Sequence, residues 1–321
     1  MQNSPLNKRL KLANIPTPVE DYNFKSFSFL IKRDDLTGFE TSGNKIRKLE
    51  YIFEKAVSEG VTTVYTCGGE QSNHSRATVV AAAKLGIKCK LFLWGSKRKN
   101  VTSNLFIDLF LNAEIQYLTK KEWESVEKFM TEDKIYTERN SNQKILIIPE
   151  GGSSEEGILG YINFLYELKE QVDLRNLSGI CIATGSGGTA AGLIAGLSIL
   201  NITHLKIYCV NVLYSKPIIQ NRIYEMAENT LNKYFNGVKL NKNTLEILDG
   251  YSKEGYKNIS TGKIKLIREF ASNSGIILDP AYTGKAFCAF YDLLQSGYKN
   301  VLFLHTGGGF GVFSKTKQYL A

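Results

Sequence analysis

The chain is poor in the residues from which metal sites and disulfide frameworks are built: 321 residues hold only five cysteines and three histidines. Cys67, Cys89, Cys181, Cys209 and Cys288 are odd in number, scattered, and mostly set in apolar runs such as GICIAT and LKIYCVNV. They read as buried thiols. With only His74, His204 and His305 and no close Cys/His pairing, no metal is expected. Long apolar runs are also missing. No stretch approaches the roughly 20 apolar residues that cross a bilayer, and the N-terminus MQNSPLNKRLKLANIPTP lacks the apolar centre of a secretion signal. A cytoplasmic protein without membrane contact is expected. Acidic residues are fewer than basic ones, 31 against 40, for a net charge of +9 that raises nucleic acid as a partner. The only short basic clusters are Asn7-Lys8-Arg9 and Lys97-Arg98-Lys99, without the stacking aromatics such binding needs. No nucleic-acid partner is expected.

What is present is an ordinary globular composition, 43% apolar and 22% charged, too apolar for a disordered chain. At about 150 residues per domain, the length makes one large or two ordinary domains. From Arg47 onward, helical spacing alternates with short β-rich runs: VTTVYT, IKCKLFL, Ile115 to Leu118, Ile145 to Ile148, GICIAT, LKIYCVNV and VLFLH. Strands alternating with helices imply parallel βαβ units. No linker rich in proline or serine separates them, so two domains must interleave without a flexible hinge sequence.

Three Gly-containing loops each follow a strand: CGGEQSN, TGSGGT and the TGGG after VLFLH. In open α/β sheets ligands collect at the carboxyl ends of strands, so these loops can converge on one crevice. TGSGGT has the makings of a phosphate cup, because its glycines free backbone N–H groups, Ser186 and Thr189 add hydroxyls, and a helix N-terminus follows. Its spacing is neither the dinucleotide fingerprint nor a P-loop. A lysine in TSGNKIRKLE, Lys45, stands just before a helix. A lysine amine paired with a distant phosphate cup is what a pyridoxal phosphate enzyme requires.

Taken together, IKRDDLTGFETSGNKIRKLEYIFEKA, GGEQSNHSR, ATGSGGT, LDPAYTGKA and FLHTGGG resemble, in order, the fold type II pyridoxal phosphate enzymes, in particular the D-cysteine desulfhydrase and 1-aminocyclopropane-1-carboxylate deaminase family. The resemblance runs from about Ile31 to Gly309. It implies two open parallel-sheet α/β domains like those of the tryptophan synthase β subunit: a large cofactor domain from 1–48 and 152–321, and a smaller inserted one from 49–151. It also implies a homodimer. Lys45 matches the lysine that holds pyridoxal 5'-phosphate and moves the substrate α-proton, and Asn73 the residue bonded to the ring oxygen. Ser72, Asn73 and His74 match the grip on the substrate carboxylate. Thr184, Gly185, Ser186, Gly187, Gly188 and Thr189 match the phosphate loop, and Tyr282 and Tyr256 match two active-site tyrosines, Tyr256 more loosely.

The deaminase branch resembled here has glutamate after the first tyrosine, where this chain has Thr283, and Q-S-N-Q where it has Q-S-N-H; Thr306 in HTGG also points to the desulfhydrase branch. A hydroxyl is a weak partner for the cofactor's ring nitrogen, which suits a substrate with a good leaving group at its β-carbon. The expected activity is therefore a carbon–sulfur lyase that turns D-cysteine into pyruvate, ammonia and hydrogen sulfide. Alternatives are the deaminase, a lyase for another β-substituted amino acid such as L-cysteate, and a non-catalytic cofactor carrier. Glu70 departs from the family's usual apolar residue and is expected to be a solvent-exposed or Lys-paired loop carboxylate.

Overall fold

The computed structural model describes residues 4–97, 101–255 and 258–320, which form two open sheets flanked by helices. The strands are β1 (Val19–Phe24), β2 (Phe27–Lys32), β3 (Thr63–Gly69), β4 (Lys88–Trp94), β5 (Glu114–Leu118), β6 (Ile145–Ile147), β7 (Gly179–Thr184), β8 (Lys206–Asn211), β9 (Leu245–Leu248) and β10 (Val301–Leu304). Among them run α1 (Lys45–Ser58), α2 (Asn73–Lys84), α3 (Ser103–Phe110), α4 (Lys120–Trp123), α5 (Val126–Asn140), α6 (Glu155–Gln171), α7 (Gly188–Ile199), α8 (Lys216–Tyr234), α9 (Thr261–Ser274) and α10 (Thr283–Gln295). The larger sheet has the order β1-β2-β10-β7-β8-β9 and the smaller β5-β4-β3-β6. All pairs are parallel except β1–β2.

Parallel strands covered on both faces should be apolar throughout, and β7 is buried at every position. Its alternate residues serve two cores. Ile180 and Ile182 pack with α6, α7 and α8, while Cys181 and Ala183 face α9 and α10. All five cysteines are buried and free, as their apolar settings lead one to expect.

The carboxyl ends of β7 and β10, neighbours in the large sheet, face the carboxyl ends of β3 and β6, neighbours in the small one, and the cleft between them is lined from all four loops. Helix α1 bridges the two units. Its Ile46, Leu49, Ile52 and Phe53 join the core of the small sheet, whereas Tyr51 packs into the core of the large one. The boundary expected at 48/49 thus falls inside a continuous helix.

The root of α1 is tied to the large unit by charge. Arg47 donates to both oxygens of Asp34 at 2.8 and 2.9 Å and to both of Glu167 at 2.8 Å. Tyr161 and Thr17 add hydroxyl bonds to Asp34, and Lys32 reaches Glu167 at 2.6 Å. Burial alone would raise the Glu167 carboxyl, yet Arg47 and Lys32 outweigh it and hold it at about 2.

Candidate active site

Lys45 is the first residue of α1, and the backbone ahead of it is fixed by close contact with the end of β10. Asn44 N–H donates to Thr306 O at 3.0 Å. A Cβ on Gly43, whose φ is +106°, would lie 2.8 Å from that same carbonyl, and Gly307 packs against it at φ +95°. Only glycine lets the two strands of chain approach so closely. Burial pushes the Lys45 ammonium down to about 8, against the pull of the Glu150 carboxylate. The neutral, nucleophilic amine is then far more abundant at neutral pH than for an ordinary lysine.

Opposite Lys45 the chain leaves β7 through Gly185, Ser186 and Gly187 and enters α7 at Gly188. Gly187 sits at φ +90°, which turns the following N–H groups toward the cleft. The loop is backed by Ser153, whose hydroxyl lies 2.9 Å from that of Ser186. A Cβ at Gly188 would lie 2.5 Å from Ser153 Oγ and 2.8 Å from Lys48 Nζ. Asn44 donates to the Thr189 hydroxyl at 3.0 Å, so the lysine helix and the loop are pinned together. Thr184, Gly185, Ser186, Gly187 and Thr189 all line the cleft.

The small unit contributes the start of α2. Ser72 is its N-cap, accepting from Ser75 N–H at 3.1 Å, which leaves the N–H groups of Asn73 and His74 without helical acceptors. All three residues line the cleft. The His74 ring, however, is buried and turned onto Thr66, at 2.9 Å from Nε2. Thr66 spends its proton on Ile148 O at 2.8 Å, so its oxygen must accept from His74, fixing the Nε2–H tautomer. Burial and the nearby Lys45 and Lys48 hold the ring well below its usual pKa, hence neutral. It offers a carboxylate no charge, and what it can present there is its backbone N–H.

Tyr282 lines the cleft, its ring against Gly185, where an added Cβ would come within 3.0 Å of it. Thr306 is on the wall as well. Thr283 is not. It is fully buried, donates to Asp279 Oδ1 at 2.7 Å and accepts from Asp279 N–H at 2.9 Å, so it braces the start of α10 instead of meeting a ligand. Tyr256 lies outside the described residues. Glu70 corrects the expectation of an exposed carboxylate: it is buried against Gly95 and accepts from Ser96 N–H at 3.4 Å, away from the cleft wall.

Comparison with known proteins agrees with this arrangement. The family model described as "Pyridoxal-phosphate dependent enzyme" matches residues 10–307. This chain belongs to that family. A Thermotoga maritima member named "Putative 1-aminocyclopropane-1-carboxylate deaminase" is 40% identical over 97% of this chain and 99% of its own. The "Bifunctional D-cysteine desulfhydrase/1-aminocyclopropane-1-carboxylate deaminase, mitochondrial" of Arabidopsis thaliana is 32% identical over 96% of this chain and 80% of its own. A crystal structure of an ACC deaminase homologue superposes with a TM-score of 0.90 at 33% identity, covering 100% of this chain and 99% of the other. The protein is thus a pyridoxal-phosphate enzyme with the type II fold.

The residues present fit that cofactor. An amine of lowered proton affinity stands at one end of the cleft, and at the other is a glycine cradle that side chains from any larger residue would fill. Several residues in and beside this cleft escaped the sequence reading. Lys48, three residues beyond Lys45 on the same helix face, is buried, and its Nζ donates to Gly151 O at 3.2 Å beside the cradle. Burial, and then the charge of Lys45, drives it well below the usual lysine pKa, and an anion in the loop would restore its charge. Glu150 and Gly151 come from PEGGSS, which, like the three loops singled out in the sequence, is a Gly-containing loop after a strand. That pattern was the available signal.

Proposed function

We propose that the protein is a β-eliminating lyase whose foremost substrate is D-cysteine, converted with one water to pyruvate, ammonia and hydrogen sulfide. Bound in this cleft, pyridoxal phosphate would supply the electron sink for the pair left when the α-carbon loses its proton. Lys45 Nζ, its proton affinity lowered by burial, is the base that takes that proton. The substrate carboxylate is received by the Ser72 hydroxyl and the N–H groups of Asn73 and His74, where the helix end favours an anion. Residues 184–189 with Lys48 would receive the phosphate and Asn73 the ring oxygen, and Tyr282, on the same cleft wall, would serve the reacting part of the substrate. Tyr256 belongs to the same reading by resemblance.

One observation carries the choice of leaving-group chemistry. Among the described residues, the only carboxylate on the cleft wall is Glu150, which bonds Tyr214 at 3.3 Å and acts on Lys45. The wall of Tyr282, Thr306 and Gly307 offers hydroxyls and backbone. A weak hydroxyl partner draws fewer electrons out of the ring than a carboxylate, and this favours substrates that expel a good leaving group over those whose cyclopropane ring must be opened. The deciding experiment incubates purified holoenzyme with D-cysteine, L-cysteine, cysteate and aminocyclopropane carboxylate in turn. Pyruvate and sulfide from D-cysteine are expected. A four-carbon 2-oxo acid from aminocyclopropane carboxylate, with no sulfide from D-cysteine, would establish the deaminase, and no product from any of them would leave a carrier.

A homodimer and a cytoplasmic location complete the proposal. No helix among the described residues is long and apolar enough to cross a membrane. The dimer is supported by an apolar patch of Leu36, Phe39, Ile277 and Phe313, with Phe39 77% exposed.

A further inference from the structure

Asn73 can present either end of its amide to the cleft, and the two ends do opposite things to an anion. We infer that Asn104, the second residue of α3, is a positioning residue that compels Asn73 to offer its N–H group. The inference rests on the functional reading above, in which Asn73 meets the ring oxygen of the cofactor.

The orientation follows from donor and acceptor capacities alone. Arg76 Nε lies 3.1 Å from one end of the fully buried Asn104 amide, and a guanidinium only donates, so that end is Oδ1. The other end lies 3.0 Å from the carbonyl of Gln71, which only accepts, so it is Nδ2. That same Nδ2 reaches the Asn73 side chain at 2.9 Å. The Asn73 atom facing it must therefore be Oδ1. Asn73 Nδ2, which has no acceptor among the described residues, is left for the cleft that Asn73 lines.

Arg76 is itself immobilised. It donates to the carbonyls of Glu40 and, at 2.7 Å, Ser42, and its guanidinium lies 5.0 Å from the centre of the Phe310 ring. The chain from Ser42 through Arg76 and Asn104 to Asn73 thus connects the segment before Lys45 to the amide that faces the cofactor. Asn104 is fully buried and absent from the cleft wall, and of the side chains and carbonyls it bonds only Asn73 lines that cleft. An N–H aimed at an anionic oxygen stabilises the anion and lowers its proton affinity; a carbonyl oxygen in its place does the reverse.

The test titrates the visible absorption band of purified holoenzyme with pH and, separately, measures the affinity of the apoprotein for pyridoxal phosphate. Asn104→Asp keeps an acceptor for Arg76 but removes the donor, so the Asn73 amide turns its N–H to the introduced carboxylate and its oxygen to the cleft. The midpoint of the band's titration is expected to rise by about one pH unit, a tenfold gain in proton affinity, and cofactor affinity to fall about tenfold. In an Asn73→Ala background the same change is expected to leave the midpoint where it was, because the amide to be turned is gone. Should Asn104→Asp fail to fold, Asn104→Ala frees the Asn73 amide to rotate and moves the midpoint upward by less. A wild-type band that titrates, with a midpoint unmoved by either Asn104 variant that folds, overturns the positioning role. So does a shift that persists undiminished without the Asn73 amide. Wild-type protein that shows no cofactor band at all overturns the functional reading and this inference together.

Discussion

Lys45 and Lys48 share a helix face and are both driven toward the neutral form, yet their surroundings separate their tasks. Lys45 opens to the cleft, with Glu150 holding its proton affinity up to about 8. The neutral amine is the reactive form, so the rate at which apoprotein captures pyridoxal phosphate is expected to rise with pH through about 8 and level off above it. Glu150→Gln removes the raising influence, and the midpoint of that profile, followed by stopped-flow absorbance, should move to lower pH. A midpoint that stays or climbs would show that Glu150 does not act on Lys45. The lysine itself was legible from SGNKIRK by resemblance. Glu150 was not, because its nearness to Lys45 arises from the fold that places the loop after β6 beside the start of α1. Thr283 shows the opposite failing: expected at the cofactor by resemblance, its hydroxyl at the start of α10 is instead taken up by a buried partner, Asp279.

At the level of elements, the repeated strand-to-helix pattern was readable because parallel strands buried on both faces are nearly continuous apolar runs, as GICIAT and LKIYCVNV are. The β1–β2 hairpin was not, since its turn is Lys25-Ser26, with Lys25 at φ +53° where asparagine or glycine would have announced it. β9 is four residues long and alternates in burial, too short to stand out. Between β5 and β6 the helical stretch is broken into α4 and a longer α5. How α1 is held was also hidden, since it depends on residues distant in sequence. Replacing Arg47 by Met leaves Asp34 and Glu167 without their buried cation and should cost about 3–5 kcal/mol in denaturant unfolding. A loss under 1 kcal/mol would mean that Lys32 and Tyr161 suffice. Gly43→Ala meets Thr306 O and a left-handed φ together, and a loss of about 1–3 kcal/mol is expected. Weaker cofactor capture should accompany it, as Lys45 shifts with the chain.

For the whole molecule, sharing α1 between two cores predicts that the sheets do not melt apart. A single calorimetric transition is expected for the apoprotein, with calorimetric and van't Hoff enthalpies in agreement; two resolved peaks would refute the coupling. Sedimentation should report a dimer, and Phe39→Glu in the apolar patch should shift it toward monomer without unfolding it. The basic excess of the sequence has little part in the cleft, whose positive potential comes from backbone N–H groups, helix ends and two lysines.

The placement of Lys45 also sets an order of events during synthesis. Its helix leaves the ribosome early, but the burial that lowers the amine's proton affinity needs chain made later: the loop after β7 that faces it across the cleft, and Thr306 and Gly307, which are added after every described strand is made. Until then Lys45 is an ordinary protonated lysine on an unfinished chain. Premature capture of a reactive aldehyde by the nascent polypeptide is therefore suppressed, and the amine is switched on only by completion of the fold.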